Sequence, residues 1–165
     1  MNSCFFGLGS NQGDRRRNIE VAISLLSAHL SFSEFLPSSI IETPALLKEK
    51  SPKEWDVPFI NSVICGQTDF SFLQVFAKIK QIEKEMGRNF EAPHWSPRII
   101  DIDILFFNNL VYSSPQLSIP HLQMENRLFV LEPLCEIASE KVHPALNKTC
   151  TILLNELLDS GHYEI

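Results

Sequence analysis

The chain has 165 residues, 44% of them apolar, enough to bury one sizeable core, and it is read as a single domain, 1–165. Its net charge of −6 argues against a general nucleic-acid binder, so phosphate chemistry would have to rest on locally gathered Arg and Lys or on a recruited metal. No apolar run approaches a membrane span, and the N-terminus has neither the basic start nor the apolar stretch of a signal peptide, so a cytoplasmic protein is expected.

Residues 4–8 read as a short apolar strand entering Gly9-Ser10-Asn11-Gln12-Gly13-Asp14, a run of turn formers whose last member can cap a helix. Ile19, Ala22, Ile23, Leu26 and Leu30 then mark one face of that helix. A strand, a glycine loop and a helix in this order suggest phosphate binding. Gln12, however, stands where the dinucleotide fingerprint needs glycine, and no Gly-Lys-Ser/Thr follows, so a tight connection is the better reading. Residues 32–42 form a second strand, bulged or at an edge because Pro37 cannot donate to a ladder. A charged, mobile loop is expected over 48–58, around Pro52 and Trp55. Residues 59–68 return as a strand with Asn61 among apolar neighbours, its amide satisfied either by backbone or by a ligand's edge.

Phe72, Phe76, Ile79, Ile82 and Met86 define the second long helix, which Gly87 closes. Residues 88–97 form an irregular loop. After the strand that follows, Asn108-Asn109 is expected to turn the chain into residues 110–113 as a hairpin. An apolar helix then runs from beyond Arg127 to about residue 135, and 152–158 is a last short helix. This order is that of a ferredoxin-like α+β fold, an antiparallel sheet with helices packed on it, plus a C-terminal helical extension. Cys4, Cys65, Cys135 and Cys150 are scattered among apolar neighbours with no Cys-x-x-Cys pair, and read as core thiols rather than zinc ligands.

The stretch that carries chemistry is Trp95-Ser96-Pro97-Arg98-Ile99-Ile100-Asp101-Ile102-Asp103-Ile104-Leu105. Alternation puts Ile100, Ile102 and Ile104 on one face of a strand, and Asp101 and Asp103 on the other with Leu105. Two carboxylates about 6–7 Å apart at Cα repel and resist desolvation unless a cation or donors offset them. They form either a shared site for Mg²⁺, a hard cation that takes oxygen ligands, or a solvated sheet face. Arg98 beside them favours the first reading, because a guanidinium grips phosphate in a bidentate manner.

This stretch, with Gly87-Arg88 before it, closely resembles the signature of the hydroxymethyl-dihydropterin pyrophosphokinases of folate biosynthesis. Gly9-Ser10-Asn11, Pro58-Phe59-Ile60-Asn61 and Pro120-His121 through Arg127, Phe129, Val130, Leu131, Pro133 and Leu134 match the same family in order and spacing. The resemblance implies transfer of the pyrophosphoryl group of ATP to 6-hydroxymethyl-7,8-dihydropterin, with release of AMP. It implies two Mg²⁺ ions on Asp101 and Asp103, Arg88, Arg98 and Arg127 on the triphosphate, and His121 near phosphate or ribose. Glu83, taken to lie on the exposed side of its helix, and Ile104 match positions near the nucleotide. Trp95 and Phe129 match the positions that stack on the pterin, Asn61 the amide that reads its edge, and Thr43, Pro44, Leu46 and Phe59 the lining.

Bland readings stand beside these: a turn-fixing His121, a solvated Glu83, and core packing for the aromatics. No convincing general base is visible. Phe90, Glu91 and His94 stand where relatives carry basic residues, Ser96 replaces a usual glycine, and Gln116 replaces a frequent Arg. A non-catalytic ligand-binding module and a different phosphotransferase are the rival readings. The expected partners are small molecules, with neither nucleic acid nor membrane, and fusion to or association with other folate-pathway enzymes fits the family.

Overall fold

A stripe of apolar residues every third or fourth position in each long helix meets alternating apolar residues in the strands, and that match sets the architecture. The computed structural model describes residues 1–45 and 47–162. Strand β1 (Asn2–Ser10) leads into α1 (Arg15–Leu30), where the Asp14 side chain accepts from the backbone N–H of Arg17 as the expected cap. Strands β2 (Ser33–Pro37) and β3 (Ile41–Thr43) follow, then β4 (Phe59–Thr68), α2 (Phe72–Glu85) and β5 (Asp101–Phe107). These strands form one antiparallel sheet in the order β2-β4-β1-β5, with β3 also on β4. The α2 helix opens on a reciprocal Ser71–Gln74 capping box, and Gly87, at φ +89, turns the chain out of it.

One face of the sheet packs on α1 and α2. Cys4, Phe6 and Leu8 of β1, Ile60 and Ile64 of β4 and Ile102 and Ile104 of β5 meet Ile19, Ala22, Leu26, Ile79 and Ile82. Phe6 is fully buried, and truncating it to Ala would cost about 3–5 kcal/mol in lost transfer energy and residual cavity. The alternation expected in the Asp strand holds as far as Leu105, which belongs to the opposite face with Phe5 and Val63, and a register shift against β1 between Phe5 and Phe6 then puts Phe106 on that same face. That face is covered by α3 (Leu128–Ala138) and α4 (Cys150–Ser160).

Several expectations need correction. The single strand over 32–42 is two, because Glu34 adopts a left-handed φ of 50°, the register shifts between Ser33 and Leu36, and Ser38 Oγ rather than a backbone carbonyl takes the Val63 N–H. The segment after Asn108-Asn109 does not pair back on β5. Instead β6 (Tyr112–Ser113) pairs with β7 (Ser118–Ile119), and the Leu105 carbonyl of β5 accepts from the His121 N–H. Residues 48–58 hold a short 3-10 turn, Lys53–Trp55, and are tied inward by Asn11 Nδ2 on the Val57 carbonyl and Arg15 Nη1 on the Pro58 carbonyl. A last small ribbon pairs β8 (Val142–His143) with β9 (Lys148–Thr149). All four cysteines are free, Cys4 and Cys150 buried with thiols pushed by burial up to about 12.

Candidate active site

The helices α3 and α4 cover only part of the second face. Register explains what the remainder presents. Asp101 of β5, Gly9 of β1 and Asn61 of β4 lie in one cross-strand row, and Asp103, Gly7 and Val63 lie in the next. The central strand contributes no side chain to either row. The acidic pair therefore stands on one side of a bare strip and the Asn61 amide on the other.

The carboxylates differ. Asp101 Oδ1 accepts from Arg88 Nη1 at 2.9 Å, and Asp101 Oδ2 lies 3.4 Å from Arg98 Nη1. Burial opposes its charge, but the guanidinium groups of Arg98 and Arg88 outweigh it and hold its carboxyl below the usual range. For Asp103, burial and then the facing Asp101 carboxylate push the carboxyl up to about 6, while His121 Nε2 sits 3.8 Å from its Oδ2. Arg88 is itself anchored from behind by the carboxylate of Glu83, which also takes Lys80 Nζ at 3.1 Å. Glu83 is fully buried, which corrects its expected exposure. A buried carboxylate is costly unless it is paired, and this one has two cations beside it.

The loop before β5 is held at its base by Asn11. Its Oδ1 accepts from the Arg98 N–H at 2.7 Å, and its own N–H donates to the Arg98 carbonyl at 3.1 Å. The turn after β1 thus works as a clamp on Arg98. Within the loop, Trp95 is held at a left-handed φ of 73°, with its Nε1 buried and without a hydrogen-bond partner among the described residues. The His94 ring sits edge-on to it at 4.4 Å.

Two cavities open on this arrangement. The first, about 200 Å³, is lined by Thr43, Pro44, Phe59, Asn61, Trp95 and Phe129, and by Arg98, Asp101, Asp103, His121 and Arg127. Asn61 Nδ2 donates to Thr43 Oγ1 at 2.8 Å, which fixes the amide and leaves its Oδ1 on the side of Gly9. The Arg127 guanidinium lies over the Phe129 ring at 5.6 Å. The second cavity, about 240 Å³, has Phe76, Ile79, Lys80, Ile104, Gln116 and Leu117 in its wall. Asp103 and His121 line both.

A model of the 7,8-dihydro-6-hydroxymethylpterin-pyrophosphokinase family matches residues 5–139. The chain belongs to this family. It is 37% identical over 139 residues to the 2-amino-4-hydroxy-6-hydroxymethyldihydropteridine pyrophosphokinase of Bacillus subtilis, covering 84% of this chain and 80% of that one. It is 40% identical over 135 residues to the folate synthesis bifunctional protein of Chlamydia caviae, covering 82% of this chain. The chain spans only 30% of the length of that relative. A crystal structure of Plasmodium falciparum HPPK-DHPS with pteroate shares the fold at a TM-score of 0.69 and 19% identity, over 96% of this chain and 42% of that one.

Of the residues to which the resemblance gives a role at the site, the two cavities bring together all but three. Arg88 reaches Asp101 from behind the cavity wall, Glu83 lies deeper still, and Leu46 falls outside the described residues. The cavities add Gly7, Gly9, His94 and Val130 to the first and Lys80 to the second. The two glycines had a signal, an apolar strand interrupted where packing should be best. Lys80 had none, since its charge fits a solvated helix face equally well.

Proposed function

We propose that the protein transfers the pyrophosphoryl group of ATP to 6-hydroxymethyl-7,8-dihydropterin, releasing AMP, as a step of folate biosynthesis. The observation that carries this reading is the pair of cavities that share Asp103 and His121 as a common wall. One is bounded by aromatic rings and an oriented amide, which suits a flat heteroaromatic edged with donors and acceptors. The other combines apolar side chains with Lys80, which suits a nucleotide base and its phosphates. Transfer between two substrates needs such adjacency, because most of the rate comes from positioning and charge neutralisation.

Asp101 and Asp103 fit Mg²⁺ by donor chemistry: both are hard oxygen ligands, and burial with mutual repulsion leaves Asp103 in need of positive charge. Among the described residues no third acidic, His or Cys ligand joins them, so phosphate oxygens and water would complete the shell. When bound, two Mg²⁺ ions would neutralise the triphosphate and polarise the attacked phosphorus. The chain's own groups would do the rest. Arg98 and Arg127 would bind phosphate oxygens, with Arg88 turning from Asp101 to join them, and His121 would contact phosphate or ribose. Glu83 would act through Arg88. Trp95 and Phe129 would stack on the pterin, Asn61 would read its edge, Thr43, Pro44, Leu46 and Phe59 would complete the lining, and Ile104 would face the base.

The sheet order β2-β4-β1-β5, two interleaved strand–helix–strand units, supports a ferredoxin-like description in one domain over 1–165. The bifunctional relatives support work alongside other folate enzymes. Among the described residues no helix is long and apolar enough to cross a membrane.

The test is incubation with ATP, Mg²⁺ and 6-hydroxymethyl-7,8-dihydropterin, with AMP and the pterin diphosphate followed by chromatography. Asp101→Asn and Asp103→Asn should each cut turnover by about two orders of magnitude or more while circular dichroism stays unchanged. No AMP from the parent protein, or near-normal turnover in both variants, would sink the assignment.

A further inference from the structure

We propose that Arg15 is a positioning residue for the ring substrate. From the far face of the sheet its guanidinium braces the short strand β3 against the entry to β4, and so keeps Thr43 within reach of the Asn61 amide. This rests on the two-substrate reading above.

β3 is three residues long, and among the described residues its ladder has one neighbour, β4. Ile41 stands opposite Asn61, Glu42 opposite Ile60 and Thr43 opposite Phe59. So short a ladder at the end of a sheet opens easily unless something else holds it. Yet the Thr43–Asn61 hydrogen bond joins these two strands, and that bond fixes which way the amide faces. Glu42 shares its row with Ile60, which packs in the core with α1 and α2. Glu42 therefore lies on the helical side of the sheet, while Thr43 lines the first cavity on the other.

Arg15, the first residue of α1, meets this pair from behind. Its Nη1 donates to the Pro58 carbonyl at 2.7 Å, and its Nη2 lies 3.0 Å from Glu42 Oε2. Each contact falls one residue before a cavity residue, Pro58 before Phe59 and Glu42 before Thr43. Asn11 Nδ2 donates to the adjacent Val57 carbonyl, so two residues at the β1–α1 connection hold consecutive carbonyls at the entry to β4. An ion pair with an exposed glutamate adds little by itself. The Arg15 side chain, however, is only 28% exposed, and its two terminal nitrogens reach β3 and the entry to β4 at once, a span suited to the planar fork of a guanidinium. Arg15 is in the wall of neither cavity, so its influence on a ligand passes through the two strands.

The measurements are melting temperature, affinity for a non-hydrolysable ATP analogue with Mg²⁺, and affinity for 6-hydroxymethylpterin with that analogue bound. They are made on the parent, Arg15→Ala, Glu42→Ala, Asn61→Ala and the Arg15→Ala, Asn61→Ala double variant. Arg15→Ala should weaken ring binding about fivefold or more. Nucleotide affinity should stay within about twofold, because the brace lies away from that cavity. Glu42→Ala removes one arm of the brace at a side chain that is 59% exposed, so it keeps the fold even where Arg15→Ala melts too low to titrate. It should show the same selective loss, about twofold to fourfold. In the Asn61→Ala background the further loss from Arg15→Ala should shrink to within about twofold, since the amide that the brace serves is already gone. A purely structural role would lower the melting temperature and both affinities together, with no such coupling. Ring affinity kept by Arg15→Ala and Glu42→Ala, equal losses for both ligands, or an undiminished further loss in the Asn61→Ala background would each overturn the proposal. A parent protein that binds neither ligand would instead remove the two-substrate reading, and this inference with it.

Discussion

Asp103→Asn separates what this carboxylate costs the resting protein from what it does in turnover. Burial, and next the Asp101 carboxylate, raise its folded pKa from 3.8 to about 6. The unfolded chain leaves it near its ordinary value. The folded protein thus holds this proton more tightly, and stability from this group falls as pH rises through about 4 to 6, with the full deficit present above that. A shift of about two units corresponds to about 3 kcal/mol. Asp103 keeps 39% of its side-chain exposure, however, and solvent screening brings the expected effect down to about 1 kcal/mol. Asn keeps the shape without the charge. In low salt, without divalent cation, the variant should melt about 2–4 °C above the parent at pH 8 and level with it near pH 4. Thermal unfolding at both pH values reads the difference. A variant no more stable than the parent at pH 8, or an advantage that persists undiminished at pH 4, refutes the reasoning.

Asn61→Ala should weaken pterin binding by about 1–3 kcal/mol, since it removes an oriented polar partner, and leave nucleotide binding nearly unchanged; calorimetric titration with each ligand decides it, and equal losses would make Asn61 structural. Glu83→Ala leaves the largely buried Arg88 and the half-exposed Lys80 without their shared counter-charge, and should destabilise the fold by about 3 kcal/mol in denaturant titration. A loss under about 0.5 kcal/mol would mean that water already screens the network.

The elements that read most clearly in the sequence were those whose periodicity and punctuation agree. Asp14, the Ile19–Leu30 stripe and Gly87 place α1 and the end of α2, and the alternation from Ile100 to Leu105 assigns the side chains of β5 up to Leu105 to their faces. Edges were harder. The Ser33–Thr43 region splits because a single left-handed residue, Glu34, and a serine hydroxyl alter a ladder that composition alone would continue. The stretch after Asn109 pairs locally because His121, sixteen residues beyond Leu105 in sequence, takes the β5 carbonyl, and no short-range pattern encodes that.

The site divides along a similar line. Side chains that project from β3, β4 and β5 into the first cavity could be named from the signature, since strand alternation fixes where they point. Glu83 departs from its expected exposure because a charged residue in a helix is normally solvated, and its burial here is offset by two cations brought by other positions, Lys80 one turn back and Arg88 beyond the helix end. That pairing has a consequence for the acidic centre. Arg88 meets Glu83 on one side and Asp101 on the other, so its charge is shared between a carboxylate that stays buried and one that faces the cavity. Glu83 therefore gives Arg88 a second anchor that does not depend on Asp101. Under the proposed transfer, an arginine held by Asp101 alone would lose its anchor on turning to the triphosphate, and the fully buried glutamate would remove that dependence.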